Sequence, residues 1–181
     1  MPQFVVLLRG LNVGKSNRVP MAEFRALLEG EGFSEVKTLL NSGNAIFRSG
    51  VRSTASQAKA IAAGLQASLG VTVRVVVKSA SELLSAVAEC PFTLPASDYS
   101  RFLVAFAQQA SATQGRSALL PLLQPGERLY VGRHAAYLYC AHGILESKAG
   151  SALLGKLGSA VTSRNWATVL KLQALLGGGV A

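Results

Sequence analysis

Val36-Lys-Thr-Leu-Leu40-Asn41-Ser42-Gly43-Asn44-Ala45-Ile-Phe-Arg48 reads as two short strands, Val36–Leu40 and Ala45–Arg48, folded about a tight Asn-Ser-Gly-Asn corner. What flanks this hairpin decides the fold. Upstream, Phe4–Leu8 is apolar at successive positions, so a strand with both faces covered is expected. Pro20–Glu29 then places Met21, Phe24, Leu27 and Leu28 on one helical face. Pro20 suits the first turn, Glu23 the positive end, and Gly30 and Gly32 the stop. Downstream, Ala55–Leu69 predicts a helix with Ala58, Ile61, Leu65 and Leu69 in register. Val71–Lys78 alternates Val71, Val73, Val75 and Val77 against Thr72, Arg74 and Lys78, the pattern of a strand with one wet face. The order β-α-β-β-α-β is the ferredoxin-like one. Ser79-Ala-Ser-Glu82 is a capping box that opens one more helix, closed by Pro91.

The pattern then restarts. Residues 91–99 (Pro-Phe-Thr-Leu-Pro-Ala-Ser-Asp-Tyr) read as a linker. Phe102–Ala107 predicts a strand, Gln114–Leu120 a short helix, and Glu127–Arg133 with Ala135–Ala141 a hairpin about Arg133-His134. Helices over 148–157 and 163–176 complete a β-α-β-β-α-α order. The expected class is α+β: a ferredoxin-like βαββαβ lobe over 1–90 and a second, related βαββαα lobe over 91–181. The relation between the lobes rests on element order, since their sequences share no evident identity.

Composition bounds the function. Half of the 181 residues are apolar, and no apolar run approaches the roughly 20 residues of a membrane span. Arg9 and Lys15 follow the first apolar stretch instead of preceding it, which is not the order of a signal peptide. A soluble cytoplasmic protein is expected, and the apolar excess leaves room for a homodimer. Cys90 and Cys140 stand far apart without C-x-x-C spacing, so two reduced core thiols are expected. His134 and His142 lack ligand partners at metal spacing; no metal and no cofactor are expected. The net charge is +9, of which +6 falls on residues 1–78. That balance suits a polyanion binder.

Topology then nominates a site. In a ferredoxin-like sheet the first strand ends at the same edge as the corner between the second and third. The loop Gly10-Leu-Asn12-Val-Gly-Lys15-Ser-Asn17-Arg18 and the corner Asn41-Ser42-Gly43-Asn44 should therefore be neighbours. Arg9, Lys15 and Arg18 would face one small volume together with the Asn amides, which both donate and accept. A phosphate, a carboxylate or a nucleotide edge fits such a rim. Near the other end, Thr162-Ser163-Arg164-Asn165-Trp166 is expected to open the last helix. Arg164 in a first turn opposes the helix dipole, and an anionic ligand would explain it.

Other chemistries are weakly written. Gly10-Leu-Asn-Val-Gly14-Lys15-Ser16 is one residue short of a Walker A loop, and the chain's single Asp, Asp98, supplies no metal-holding strand end. Nine dispersed acids nominate no carboxylate pair, and no Gly-x-Ser-x-Gly elbow is present. Phe4 and Phe47 could stack bases, but a first strand apolar on both faces argues for a sheet buried against the second half.

These segments together resemble the family known as domain of unknown function 1697. The resemblance rests on Leu8-Arg9-Gly10-Leu11-Asn12-Val13-Gly14, Val19-Pro20-Met21 with Glu23-Phe24-Arg25, Asn41-Ser42-Gly43-Asn44, Ser147-Lys148 and Ser163-Arg164-Asn165-Trp166. Many members carry Gly-Gly-Lys-Asn where this chain has Gly14-Lys15-Ser16-Asn17, which moves the cation by one place. The resemblance implies a bacterial, two-lobed α+β protein and brings no established activity. The leading expectation is non-catalytic binding of an anionic ligand, nucleic acid or a nucleotide. Arg9, Asn12, Lys15, Asn17, Arg18, Asn41, Ser42, Asn44, Lys148, Arg164 and Asn165 are the candidate contacts. One alternative is an enzyme acting on a small phosphorylated or carboxylated molecule, with Lys15 or Lys148 as an electrostatic clamp. Another is a structural protein that dimerises through its apolar excess.

Overall fold

A run of five consecutive buried residues, Phe4–Leu8, forms the middle of the first sheet, with both faces of the strand out of solvent. In the computed structural model, which describes residues 1–177, the chain divides into two compact units. One comprises Met1–Leu83 and takes in the chain again from Leu175; the other is Leu84–Ala174. The last four residues of the expected second lobe, 178–181, lie outside the described part. No helix among the described residues is long and apolar enough to cross a membrane.

The first unit runs β1 (Gln3–Leu8), α1 (Met21–Gly30), β2 (Ser34–Leu39), β3 (Asn44–Arg48), α2 (Thr54–Leu69) and β4 (Val75–Ser79). Its antiparallel sheet has the order β2-β3-β1-β4. Val6 pairs with Ala45 on one side and Val77 on the other. Phe4, Val6 and Leu8 of β1 meet Phe24 and Leu28 of α1 and Ile61 and Leu65 of α2 in one core. Phe47 stacks on Phe33 at 4.3 Å and on Phe4 at 5.7 Å, so neither Phe4 nor Phe47 is presented to a base.

β4 is shorter than its sequence pattern. Gly70 takes a left-handed φ of 64°, and the Val71 N–H reaches back to the Leu65 carbonyl, so 71 belongs to the exit of α2. Of the expected wet face, Thr72 and Arg74 are exposed but precede β4, and within β4 both faces are closed. Val76 is fully buried, and Lys78 is 9% exposed with its ammonium 3.7 Å from Glu82. The capping box forms: the Glu82 N–H donates to Ser79 Oγ, and the Ser79 N–H donates to Glu82 Oε2. It opens α3 (Ala80–Glu89), within which the two units divide.

The second unit continues with β5 (Phe102–Ala107), α4 (Ala110–Gln114), β6 (Arg128–Val131), β7 (Ala136–Tyr139), α5 (Lys148–Leu154), β8 (Val161–Asn165) and α6 (Trp166–Leu175). Its antiparallel sheet, β6-β7-β5-β8, repeats the connectivity of the first. The class is therefore α+β with two ferredoxin-like lobes. β8 occupies residues read as the start of the last helix. It pairs along β5 from Val161 opposite Ala107 to Asn165 opposite Leu103, and α6 starts only at Trp166. Burial of Val161 and Thr162 and a full ladder against β5 outweigh the local helix signal of a Ser-initiated run. Leu103, Ala105, Leu138, Ala149, Leu153 and Val161 form this unit's core.

Candidate anion site

β1 leaves the sheet at Leu8, whose N–H donates to the Gly43 carbonyl at 2.9 Å. That bond sets the loop after β1 beside the 41–43 corner, the adjacency expected from topology. The loop is built from left-handed residues: Gly10, Asn12, Gly14 and Asn17 have φ of 73°, 57°, 65° and 51°. Asn tolerates this region because its short amide bonds locally. The Asn12 N–H closes the loop on the Asn17 carbonyl at 3.0 Å.

Asn12 holds the two segments together. Its Nδ2 donates to the Val19 carbonyl at 2.9 Å and to the Asn41 carbonyl at 2.6 Å, while its Oδ1 accepts from the Val19 N–H at 2.7 Å. Both amide hydrogens are therefore used within the protein. Asn44 does the same for the corner, donating to the Leu39 carbonyl at 3.0 Å and to Ser42 Oγ at 2.9 Å from a fully buried position. Asn12 and Asn44 thus position loops instead of offering donors to a ligand, a correction to the expectation from sequence.

The other loop residues differ. Lys15 and Arg18 are exposed, and neither makes a side-chain hydrogen bond or ion pair among the described residues. Asn17 is half-buried, and Asn41 and Ser42 are exposed at the corner. Arg9 is half-buried, with its N–H on the Arg74 carbonyl at 2.9 Å.

A cleft of about 380 Å³ opens here, lined by Asn12, Arg18, Val19, Pro20, Met21 and Asn41. Its floor is the start of α1. Pro20 stands just outside the helix, where its extended ψ of 141° is what a residue before the first turn adopts, and no side chain caps that end. The Pro20 carbonyl accepts from Glu23 and Phe24. The N–H groups of Met21 and Ala22 are the ones that an α-helix leaves without an intrahelical acceptor. Sequence reasoning missed Val19, Pro20 and Met21 as lining residues. A proline immediately before a helix, unable to cap it, was the available signal.

Lys148, Arg164 and Asn165 belong to the second unit. Lys148 is exposed at the head of α5, where its N–H donates to Gln124 Oε1 at 3.1 Å. Arg164 lies on β8 opposite Val104 and not in a first helical turn, so the dipole argument for it lapses. Its guanidinium donates to Thr162 Oγ1 and the Ser163 carbonyl, both at 2.8 Å, and burial lowers its pKa to about 10. Asn165 ends β8 and caps α6 through a bond from the Thr168 N–H at 2.9 Å.

None of the cleft-lining residues is an acid, a histidine or a cysteine. Both cysteines are free thiols, with Cys140 buried. Among the described residues no three His, Cys, Asp or Glu side chains cluster as a metal site would require.

A family model described as a protein of unknown function (DUF1697) matches residues 1–137. No curated protein matches the chain. A solved structure of a conserved bacterial protein, SP0830 from Streptococcus pneumoniae, is similar with a TM-score of 0.77 and 24% identity. The likeness covers 97% of this chain and 98% of that one. At this identity it speaks for the fold.

Proposed function

The chain belongs to the DUF1697 family, described only as of unknown function, and from that premise we propose that it binds an anionic ligand, a nucleotide or nucleic acid, at the cleft before α1. The observation that carries this reading is the uncapped start of α1 facing a cleft whose one cationic lining residue, Arg18, has no side-chain partner among the described residues. A helix N-terminus presents N–H donors and the positive end of its dipole, which together favour an anion. Arg18 would add a planar, bidentate donor set suited to phosphate or carboxylate oxygens. Asn41 and Ser42 stand at the rim with polar groups for the remainder of a ligand. A cleft of this volume lies within the ordinary range for small-molecule sites.

Binding fits the residues better than catalysis. The lining holds no general acid, base or nucleophile, so an enzyme would have to act through electrostatics alone. Lys15 is exposed on the same loop and adds long-range attraction, screened by salt.

The test is calorimetric titration with inorganic phosphate, mononucleotides and short oligonucleotides on the wild type and on Arg18→Ala. Binding that Arg18→Ala weakens at least tenfold supports the site. Hits that survive the substitution unchanged, or no hit in any class, would overturn it.

A further inference from the structure

The second unit carries a cationic and aromatic surface that the cleft does not involve. β6 is an edge strand of its sheet, with Arg128 and Tyr130 on one face and Leu129 and Val131 on the other. Across the ladder Arg128 stands opposite Tyr139 and Tyr130 opposite Tyr137. The Arg128 guanidinium sits 5.2 Å from the Tyr139 ring and 5.0 Å from the Phe92 ring. Cation–π contact uses the charge and the ring face, not the N–H donors. Arg128 makes no side-chain hydrogen bond or ion pair among the described residues, although it is exposed.

Tyr130 stacks one side of its ring on Tyr137 at 5.9 Å and remains 40% exposed. Tyr137 is itself fully buried and fixed by a hydrogen bond from its hydroxyl to Glu89 at 3.0 Å. The outer ring is thus held on a rigid base. Arg133, also exposed, follows at the hairpin tip. The acids nearby are engaged within the protein: Glu127, just before β6, is buried and accepts from the Gln124 N–H at 2.9 Å. Asp98 accepts from Arg101 and from the Tyr139 hydroxyl, and Glu89 from the Arg133 and His134 N–H groups.

We propose that this β6–β7 edge binds single-stranded nucleic acid, with a base stacked on Tyr130 and backbone phosphates held by Arg128 and Arg133. The argument is charge complementarity combined with a supported, half-open aromatic ring. Duplex bases offer no free face to such a ring, whereas every unpaired base does. Residues 84–174 carry eight lysines and arginines against four acids, and this surplus supplies the sequence-independent part of the attraction. This inference stands apart from the cleft before α1, and either reading can fail without the other.

The experiment is fluorescence anisotropy with a labelled oligothymidylate of about twelve nucleotides, within the usual site size, and a labelled duplex of equal charge. Tyr130→Ala should weaken single-strand binding about tenfold, as loss of one base–aromatic stack does, while Tyr130→Phe retains it. Tyr130→Leu keeps an apolar group against Tyr137, so it should fold even where the alanine variant does not, and it should weaken binding likewise. Arg128→Gln should reduce the slope of log affinity against log salt by about 0.7, one single-strand phosphate. Arg18→Ala serves as the control for the cleft and should leave the Tyr130 dependence intact. The proposal fails if the folded Tyr130→Leu protein binds the oligonucleotide as the wild type does. It also fails if the duplex loses as much affinity, or if only Arg18→Ala abolishes binding.

Discussion

Replacing Asn12 tests whether one side chain builds the cleft. Asn12→Ala deletes three hydrogen bonds, to the Val19 carbonyl, the Asn41 carbonyl and the Val19 N–H. At about 0.5–1.5 kcal/mol net for each, the loss is about 1.5–4.5 kcal/mol. Asn12 also holds φ at 57°, and alanine there costs about 1 kcal/mol more than a residue at home in the left-handed region. Asn12→Gly loses the same bonds without that strain, so it should sit about 1 kcal/mol above the alanine variant. Asn12→Asp should be the worst of the three, because it sets a carboxylate against two carbonyl oxygens. Urea unfolding followed by far-ultraviolet circular dichroism gives the free energies. The single tryptophan, Trp166, lies in the second unit and is the wrong probe for this loop. Hydrogen exchange at the Val19 and Leu8 amides reports the loop and the corner directly. An Asn12→Ala protein that loses less than about 1 kcal/mol, with both amides still protected, would refute the bridge.

Two of the glycines of this edge, Gly43 and Gly14, should separate steric from conformational cost. A Cβ on Gly43 would meet Leu8 Cβ at 2.7 Å with φ at 83°, so Gly43→Ala should destabilise strongly and displace β1 from β3; thermal melts and crystallography check it. Gly14→Ala meets open space at φ 65° and should cost only about 1 kcal/mol, with circular dichroism melts close to wild type. Glu23, in the first turn of α1, competes with any bound anion, so Glu23→Gln should tighten phosphate or nucleotide affinity a few-fold in calorimetry at low salt. At Glu89, burial raises the pKa but is outweighed by hydrogen bonds from the His134 and Arg133 N–H groups and Tyr137, and the carboxyl ends below its ordinary value. A depressed folded value gives stability that is present above the ordinary glutamate range and lost as pH falls through the folded value. Acid melts should therefore show the second unit loosening below about pH 4, and Glu89→Gln should be weaker at neutral pH yet less pH-dependent there.

The first lobe was legible because its signals are local and mutually consistent. The Asn-Ser-Gly-Asn corner, the apolar run Phe4–Leu8 and the capping box Ser79–Glu82 each need only a few residues to be read. β8 was not, because Thr162-Ser163-Arg164-Asn165 is a strand only through its pairing with β5, a partner about sixty residues earlier in the chain. Val71–Lys78 misled for a related reason: alternation predicts one strand with a wet face, but Thr72 and Arg74 stay exposed ahead of a shorter β4 whose two faces are both buried. At the cleft, spacing brought the right segments together and misassigned their work. A sequence cannot say whether an asparagine amide faces a ligand or a neighbouring carbonyl, and here Asn12 and Asn44 face carbonyls. The Arg128–Tyr130 surface was written in the hairpin, since alternate residues of β6 and β7 must share a face. The register that sets Tyr130 on Tyr137 is fixed by the β6–β7 ladder and is not written in either strand alone.

Pro20 has a consequence beyond shaping the bend before α1. Serine, threonine or aspartate in its place would swing an oxygen onto the first-turn amides and act as a built-in competitor, occupying the mouth of the helix from within the chain. Proline has no such oxygen and, with its ring-locked backbone, holds the approach to the helix without plugging it. The identity of this one residue thus leaves the first-turn amides without a side-chain oxygen from the chain. On the proposed reading, Pro20→Asp should raise stability and abolish phosphate binding in the same calorimetric titration.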